Sequence, residues 1–324
     1  SGEQAGWLDE HFRHNVRLSH HVTTLARRCE SVRRVVFASS YDVYDPALYC
    51  LQTPKQTAAS LTEDDPVHPA GLSGMAKLAH EMELRALAQN AQRQFSILSV
   101  RMFPDYGPGG HDMISAWSRN LLSAKSITVT RADDRLDYIH AADSAEGLLR
   151  LAMCEHATGV VNLGVGRARR VREVIGLLRQ YFPAAANENA PAGAPIQAGQ
   201  ASTVRLEKLI GWKPTRTLET DIPAMIEFES QARATWRRGR DVGFTQDPLL
   251  RALRQAALRL DPHAQLVAGD LDPMAAARFE ADDFWLMPRL SDDQLTHIFE
   301  GCRARSISGI LPTEDDEFAF WAGH

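Results

Sequence analysis

From Trp7 to Arg28 the apolar residues Phe12, Val16, Val22 and Leu25 recur on an approximately helical period, and the run RRVVFASS at Arg33–Ser40 that follows is continuous and strand-like. A polar, turn-rich stretch from Asp45 to Gly71 leads into a segment from Ser73 to Ala91 rich in Ala, Leu, Met, Glu and Lys, which predicts a long helix. FSILSVRM then forms a second uninterrupted apolar run. Apolar runs on both sides of a helix are the pattern of parallel strands buried on both faces, so the chain reads as α/β. MISAWSRNLLSA, ADSAEGLLRLAMCEH and RVREVIGLLRQYF carry apolar residues at three- and four-residue spacing and predict further helices, with SITVTR and GVVNLG as strands between them.

Two stretches break this rhythm. PAAANENAPAGAPIQAGQ, Pro183 to Gln200, reads as a mobile surface loop. The charged junction RATWRRGRD at Arg233–Asp241 follows the helix IPAMIEFESQ and sets the expected domain boundary near residue 236, giving domains 1–236 and 237–324. The second is a short α/β series. PLLRALRQAALRLD and DDQLTHIFEGCRAR are its helices, with a short one around Met274–Glu280 and a last one in DDEFAFWAGH, and AQLVAGDL, FWLMP and SISGILP are its strands.

The 324 residues, 44% hydrophobic and 24% charged, are those of an ordinary globular protein with room for two domains. A net charge of -5 argues against bulk nucleic-acid binding. Cys29, Cys50, Cys154 and Cys302 are widely spaced, without the pairing of a zinc site or a disulfide framework, so no metal is expected. Neither an 18-residue apolar run nor a signal-like start is found, so no membrane association and a cytoplasmic location are expected.

Ser39 and Ser40 end the first strand, where open α/β sheets bind ligands, although hydroxyl residues also end strands by bonding nearby backbone. In order along the chain, FRHNVRLSHHVTTLARR, VVFASSYDVYD, LTEDDPVHPAGLSGMAKLAHEMEL, SVRMFPDYGPGG, RLDYIHAADSAEGLLRLA, GVVNLGVG and LEKLIGWKPTRTLETDI stand between residues 7 and 230. Together they resemble the extended short-chain dehydrogenase/reductases, the NAD-dependent epimerases and dehydratases acting mostly on nucleotide sugars.

The resemblance implies a Rossmann-like parallel sheet, NAD or NADP as cofactor, and a nucleotide-linked substrate. It implies that Ser40, four residues before Tyr44, polarises the substrate oxygen, and that Lys77 holds the cofactor ribose and lowers the pKa of a tyrosine four residues before it. That place is held by Ser73, whose alkyl hydroxyl is a far weaker acid than a phenol. Tyr41, Tyr44 and Tyr49 are the nearby phenols. Ser39 falls on the cofactor side. Asp42 stands where dehydratases carry an acid, with Tyr41 in place of its companion, and a turn carboxylate is the other reading of Asp42.

Arg101 and Arg135 fall where arginines contact a nucleotide diphosphate, or make structural salt bridges. Asp137 belongs to the same motif, Asp143 is expected as a helix N-cap, and His140 as a structural strand residue. The matches begin where the family has already passed three strands, so the sheet is expected to be incomplete at its amino-terminal side, without the Gly-x-x-Gly-x-x-Gly loop that cradles pyrophosphate. Homodimerisation through the helices at His11–Arg28 and Ser73–Ala91 is the family's habit.

From Val242 on, DPLLRALRQAALR, AQLVAGDLDPMAAARFEADDFWLMPRLSDD and ISGILPTEDDEFAFWA resemble the pre-ATP-grasp domain of ligases such as the carbamoyl phosphate synthase large chain. This implies an ATP-grasp domain further along the same polypeptide. Asp270, Asp272 and the run Thr313–Glu317 read as strand-end and turn carboxylates, or as magnesium or substrate contacts. Two functions follow: an epimerase/dehydratase-like protein of nucleotide-sugar metabolism, weakened by Ser73, or a non-catalytic scaffold or ligand-binding part of an ATP-grasp carboxylate–amine ligase.

Overall fold

The computed structural model describes residues 34–52, 57–90, 96–129, 131–183, 186–188, 195–237, 248–270, 281–288, 294–305 and 309–310, with isolated positions elsewhere. The helix expected over His11–Arg28, apart from isolated positions, the short helix around Met274–Glu280 and the last helix in DDEFAFWAGH lie outside them.

The parallel sheet is built from β1 (Arg34–Ser40), β2 (Ser96–Met102) and β3 (Gly159–Leu163), with helix α1 (Leu72–Asn90) crossing from β1 to β2. Helices α2 (Met113–Leu122) and α3 (Ala141–Met153) come between β2 and β3. β1 and β2 pair along their whole length, Arg34 opposite Ser96 through Ser40 opposite Met102, and β3 joins the other side of β2. Both long strands are buried at their five central positions, which is why they read as continuous apolar runs rather than alternating ones.

α2 begins at Asp112, whose carboxylate accepts the N–H groups of Ile114 and Ser115. α3 begins one turn earlier than the sequence suggests. Its N-cap is His140, whose Nδ1 accepts the N–H of Ala142. Asp143, expected as the cap, sits in the first turn and accepts the N–H groups of Thr215 and Arg216 instead. α4 (Val171–Arg179) and α6 (Leu218–Arg237) build a second apolar cluster with α2, from Trp117, Leu121, Val174, Ile175, Leu178, Ile222 and Met225. A short helix, α5 (Val204–Ile210), lies between them in sequence and packs against β3.

The Ala/Pro-rich stretch is only partly a loop. Ile196–Gln197 pairs with Cys50–Leu51, and Gly199–Ala201 pairs with Ala59–Leu61. Ala198 and Ala201 are buried. Small side chains that look like linker composition are there because two strands and Tyr49 pack closely upon them: a Cβ at Gly199 would stand 3.2 Å from that of Tyr49.

The carboxyl-terminal series holds α7 (Pro248–Leu260), the parallel pair β4 (Val267–Asp270) and β5 (Asp283–Leu286), α8 (Leu295–Ala304) and β6 (Gly309–Ile310). α7 packs on α3, and Ala252, Leu253 and Ala256 share one core cluster with Val36, Leu98, Leu148, Leu151 and Val161. β6 pairs in parallel with β1, so the sheet order is β6–β1–β2–β3. Among the described residues no helix is long and apolar enough to cross a membrane, and no His/Cys/Asp/Glu cluster could hold a metal ion.

Candidate functional site

β1 delivers two hydroxyls to its carboxyl end, and strand alternation gives them opposite surroundings. Ser39 is buried and donates to Glu81 Oε1 at 2.5 Å. Ser40 is half-buried, and its Oγ accepts the N–H of Asp42 at 3.1 Å, capping the 3₁₀ turn Tyr41–Val43. That turn rests on the first turns of α1. Gly74 permits the contact, since a Cβ there would lie 2.6 Å from the Asp42 carbonyl oxygen. Ser73 is exposed on the same stretch of α1. One turn on, Lys77 donates to the Ala38 carbonyl at 3.0 Å, with its ammonium 5.3 Å from the centre of the Phe37 ring. The turn carrying Ser40 and Asp42 and the stretch of α1 carrying Ser73 and Lys77 thus pack together at the carboxyl end of β1.

Arg101 and Ser39 lie on the inner side of this site. The Arg101 guanidinium makes a bidentate pair with Glu81, Nε at 3.1 Å and Nη2 at 2.9 Å, and both side chains are buried. It also stacks 4.7 Å over the Tyr44 ring and donates to the Glu63 carbonyl. Tyr44 continues the chain of contacts, its hydroxyl donating to Asn162 Oδ1 at 2.7 Å, while Asn162 Nδ2 donates to the Leu61 carbonyl. Arg135 stands apart from this network, on a two-residue ladder opposite Arg170.

Glu81 and Asn162 are the residues that the sequence reading passed over. A signal for Glu81 was present: Ser73, Lys77 and Glu81 follow one another at four-residue intervals and so share one face of α1. For Asn162, inside the run GVVNLG, a polar residue in a strand buried on both faces was the clue.

The proton chemistry is constrained by burial. The Ser73 hydroxyl is no substitute for a phenol at neutral pH. Burial pushes the phenols of Tyr41, Tyr44 and Tyr49 upward, with Asp42 adding to the shift for Tyr41 and Tyr49, so none of the three is a ready proton acceptor near neutrality.

The described residues fit only one end of a dinucleotide. Lys77 stands where a ribose hydroxyl could be held, but no pyrophosphate cradle is open. The loop after β3, Gly164–Arg167, does gather backbone N–H groups into an anion-binding nest. It is filled by the protein's own carboxylate: Asp137 accepts from Val165 at 3.2 Å, Gly166 at 2.9 Å and Arg167 at 3.4 Å, and from Ala201 at 2.9 Å. Burial raises the Asp137 pKa against the downward pull of these four donors.

Fold and site together define a parallel α/β protein of the dinucleotide-binding type with its polar residues at the carboxyl ends of the strands. Residues 5–164 match the NAD dependent epimerase/dehydratase family and residues 246–324 the PylC-like, N-terminal domain, so the chain carries an epimerase/dehydratase family domain followed by a domain of the pre-ATP-grasp kind.

Among solved structures, an NAD dependent NDP-hexosamine 5,6-dehydratase, TunA, involved in tunicamycin biosynthesis, is 27% identical with a TM-score of 0.58, over 67% of this chain and 69% of that one. MoeE5 in complex with UDP-glucose and NAD is 23% identical with a TM-score of 0.60, over 68% and 73%. The UDP-glucuronic acid 4-epimerase from Bacillus cereus, in complex with UDP-glucuronic acid and NAD, is 18% identical with a TM-score of 0.57, over 67% and 68%. At these last two identities the likeness is one of fold. No curated protein matches the chain in sequence.

Proposed function

We propose that the chain is an epimerase/dehydratase-like protein of nucleotide-sugar metabolism that keeps a nucleotide-sugar site and has lost the acid/base catalyst. The observation that carries this reading is the packing of the turn bearing Ser40 and Asp42 on the start of α1, where Lys77 bonds the Ala38 carbonyl and a serine stands four residues before it. Ser40 is assigned to the substrate oxygen, Lys77 to the side of an NAD or NADP ribose and Asp42 to the substrate, while Ser39 and Arg101, buried against Glu81, and Arg135, on its separate ladder, are not placed to touch either. Support for the nucleotide sugar comes from the bound molecules of the similar structures.

Thermal unfolding of the purified chain with UDP-glucose, UDP-glucuronic acid, NAD and NADP tests it. A ligand at one hundred times its dissociation constant stabilises by about 2.7 kcal/mol. The expected result is a raised melting temperature with a UDP-sugar and no turnover with either cofactor. No shift with either sugar overturns the binding site, and turnover by the unmodified chain overturns the loss of catalysis.

A second reading is favoured by the PylC-like match and by the packing of α7 on α3. Here residues 1–236 are a scaffold or ligand-binding part beside 237–324, within a larger ATP-grasp carboxylate–amine ligase of the cytoplasm. The same titration separates the two, since a scaffold gains nothing from a UDP-sugar. Pairing of two copies through α1 belongs to the first reading, and size-exclusion chromatography reads it.

A further inference from the structure

The carboxyl-terminal segment is tied to the epimerase-like sheet at several independent places. Ala252, Leu253 and Ala256 of α7 fall at one-turn spacing and are buried in the core that also holds Ala145, Leu148 and Leu151 of α3. Leu266, between α7 and β4, packs against this core and also against the small apolar cluster around Ala268. At the rim Arg259 pairs with Glu146 of α3 at 3.3 Å, and Arg251 lies 5.7 Å from the Phe228 ring of α6. β6 then pairs with the outer edge of β1, Gly309 opposite Arg34 and Ile310 opposite Val35.

Both contacts cover groups that are costly to leave in water: α3 without α7 would expose the apolar side chains of Ala145, Leu148 and Leu151, and β6 satisfies backbone groups of Arg34 and Val35 in the parallel sense of the rest of the sheet.

We infer that the α3 face is the binding surface for the chain's own PylC-like segment, so that the described residues of 34–237 and of 248–310 form one folding unit. This is independent of any cofactor or sugar, and holds or fails without regard to the proposed function.

The test uses the full chain with a protease site inserted in the sequence between Asp241 and Gln246. After cleavage under native conditions the two pieces should co-elute on size exclusion, and the amides of Ser96–Met102 in β2 should keep their protection from hydrogen exchange. Pieces that separate only as β2 loses protection also support the inference. Pieces that separate while β2 stays protected overturn it. In the uncut chain, Leu253→Asp should remove protection from α7 and β2 together, whereas loss confined to 248–310 overturns the composite unit. Leu258→Asp, at an exposed position of the same helix, should leave both protected.

Discussion

The strand-end site depends on a charge pair beneath it. Glu81 neutralises Arg101 where both are buried, accepts from Ser39, and lies one turn from Lys77 on α1. Glu81→Gln keeps the shape and removes the charge, leaving a guanidinium buried without its counter-ion. Removing one member of such a pair costs about 3–5 kcal/mol. Urea denaturation of the variant should show a loss of that order, and the double change Glu81→Leu with Arg101→Met should recover much of it.

His140 gives the chain a pH dependence whose sign is fixed by its burial. Burial lowers its pKa to about 4 from the ordinary 6.5, because the ring is enclosed and its Nδ1 must stay unprotonated to accept the Ala142 N–H. The unfolded chain takes up that proton first. The stability from His140 is therefore fully present above pH 6.5 and is lost as pH falls toward 4. Burial raises the pKa of Asp137 and Asp143, which act in the opposite sense, so the His140 part is read by difference from His140→Asn. Asn also caps helices but does not titrate. Stability of His140→Asn relative to the parent should rise as pH falls through that window.

At the scale of elements, the helices and central strands were legible because their period and burial agree. RVVFASS and SILSVRM are buried on both faces and show it. Contacts remote in sequence were not legible. Nothing in the composition of APAGAPIQAGQ announces two ladders, since Gly and Ala look alike in a linker and in a tightly packed strand. The candidate positions Ser40, Asp42, Ser73 and Lys77 are marked in the sequence by local motifs. The inward turn of Ser39 and Arg101 onto Glu81 needed the register of three elements at once.

Gly147 shows how packing overrides local preference. In the middle of α3, alanine is the better helix former by about 1 kcal/mol. Yet a Cβ there would lie 2.6 Å from Leu163 Cδ1 of β3 and 3.0 Å from the Trp212 ring. Overpacking of that kind costs about 1–3 kcal/mol. Gly147→Ala should lower the denaturation midpoint, and the same change should cost less on a Leu163→Ala background than in the parent.

For the whole molecule, two family segments share a core through α3, α7 and Leu266. A boundary drawn from composition marks where the chain changes character, while the packing crosses it. Leu148 and Leu151 of α3 share their cluster with both Val161 of β3 and Leu253 of α7.

The pairing of β6 with β1 also sets an order on synthesis. β2 and β3 are available to β1 well before β6 has been made. Joining strands so far apart carries a large loop-closure cost and slows folding. Until then α3 lacks the cover of α7 and β1 lacks its contact with β6, and a nascent chain at this stage is the form most open to pairing with the wrong partner.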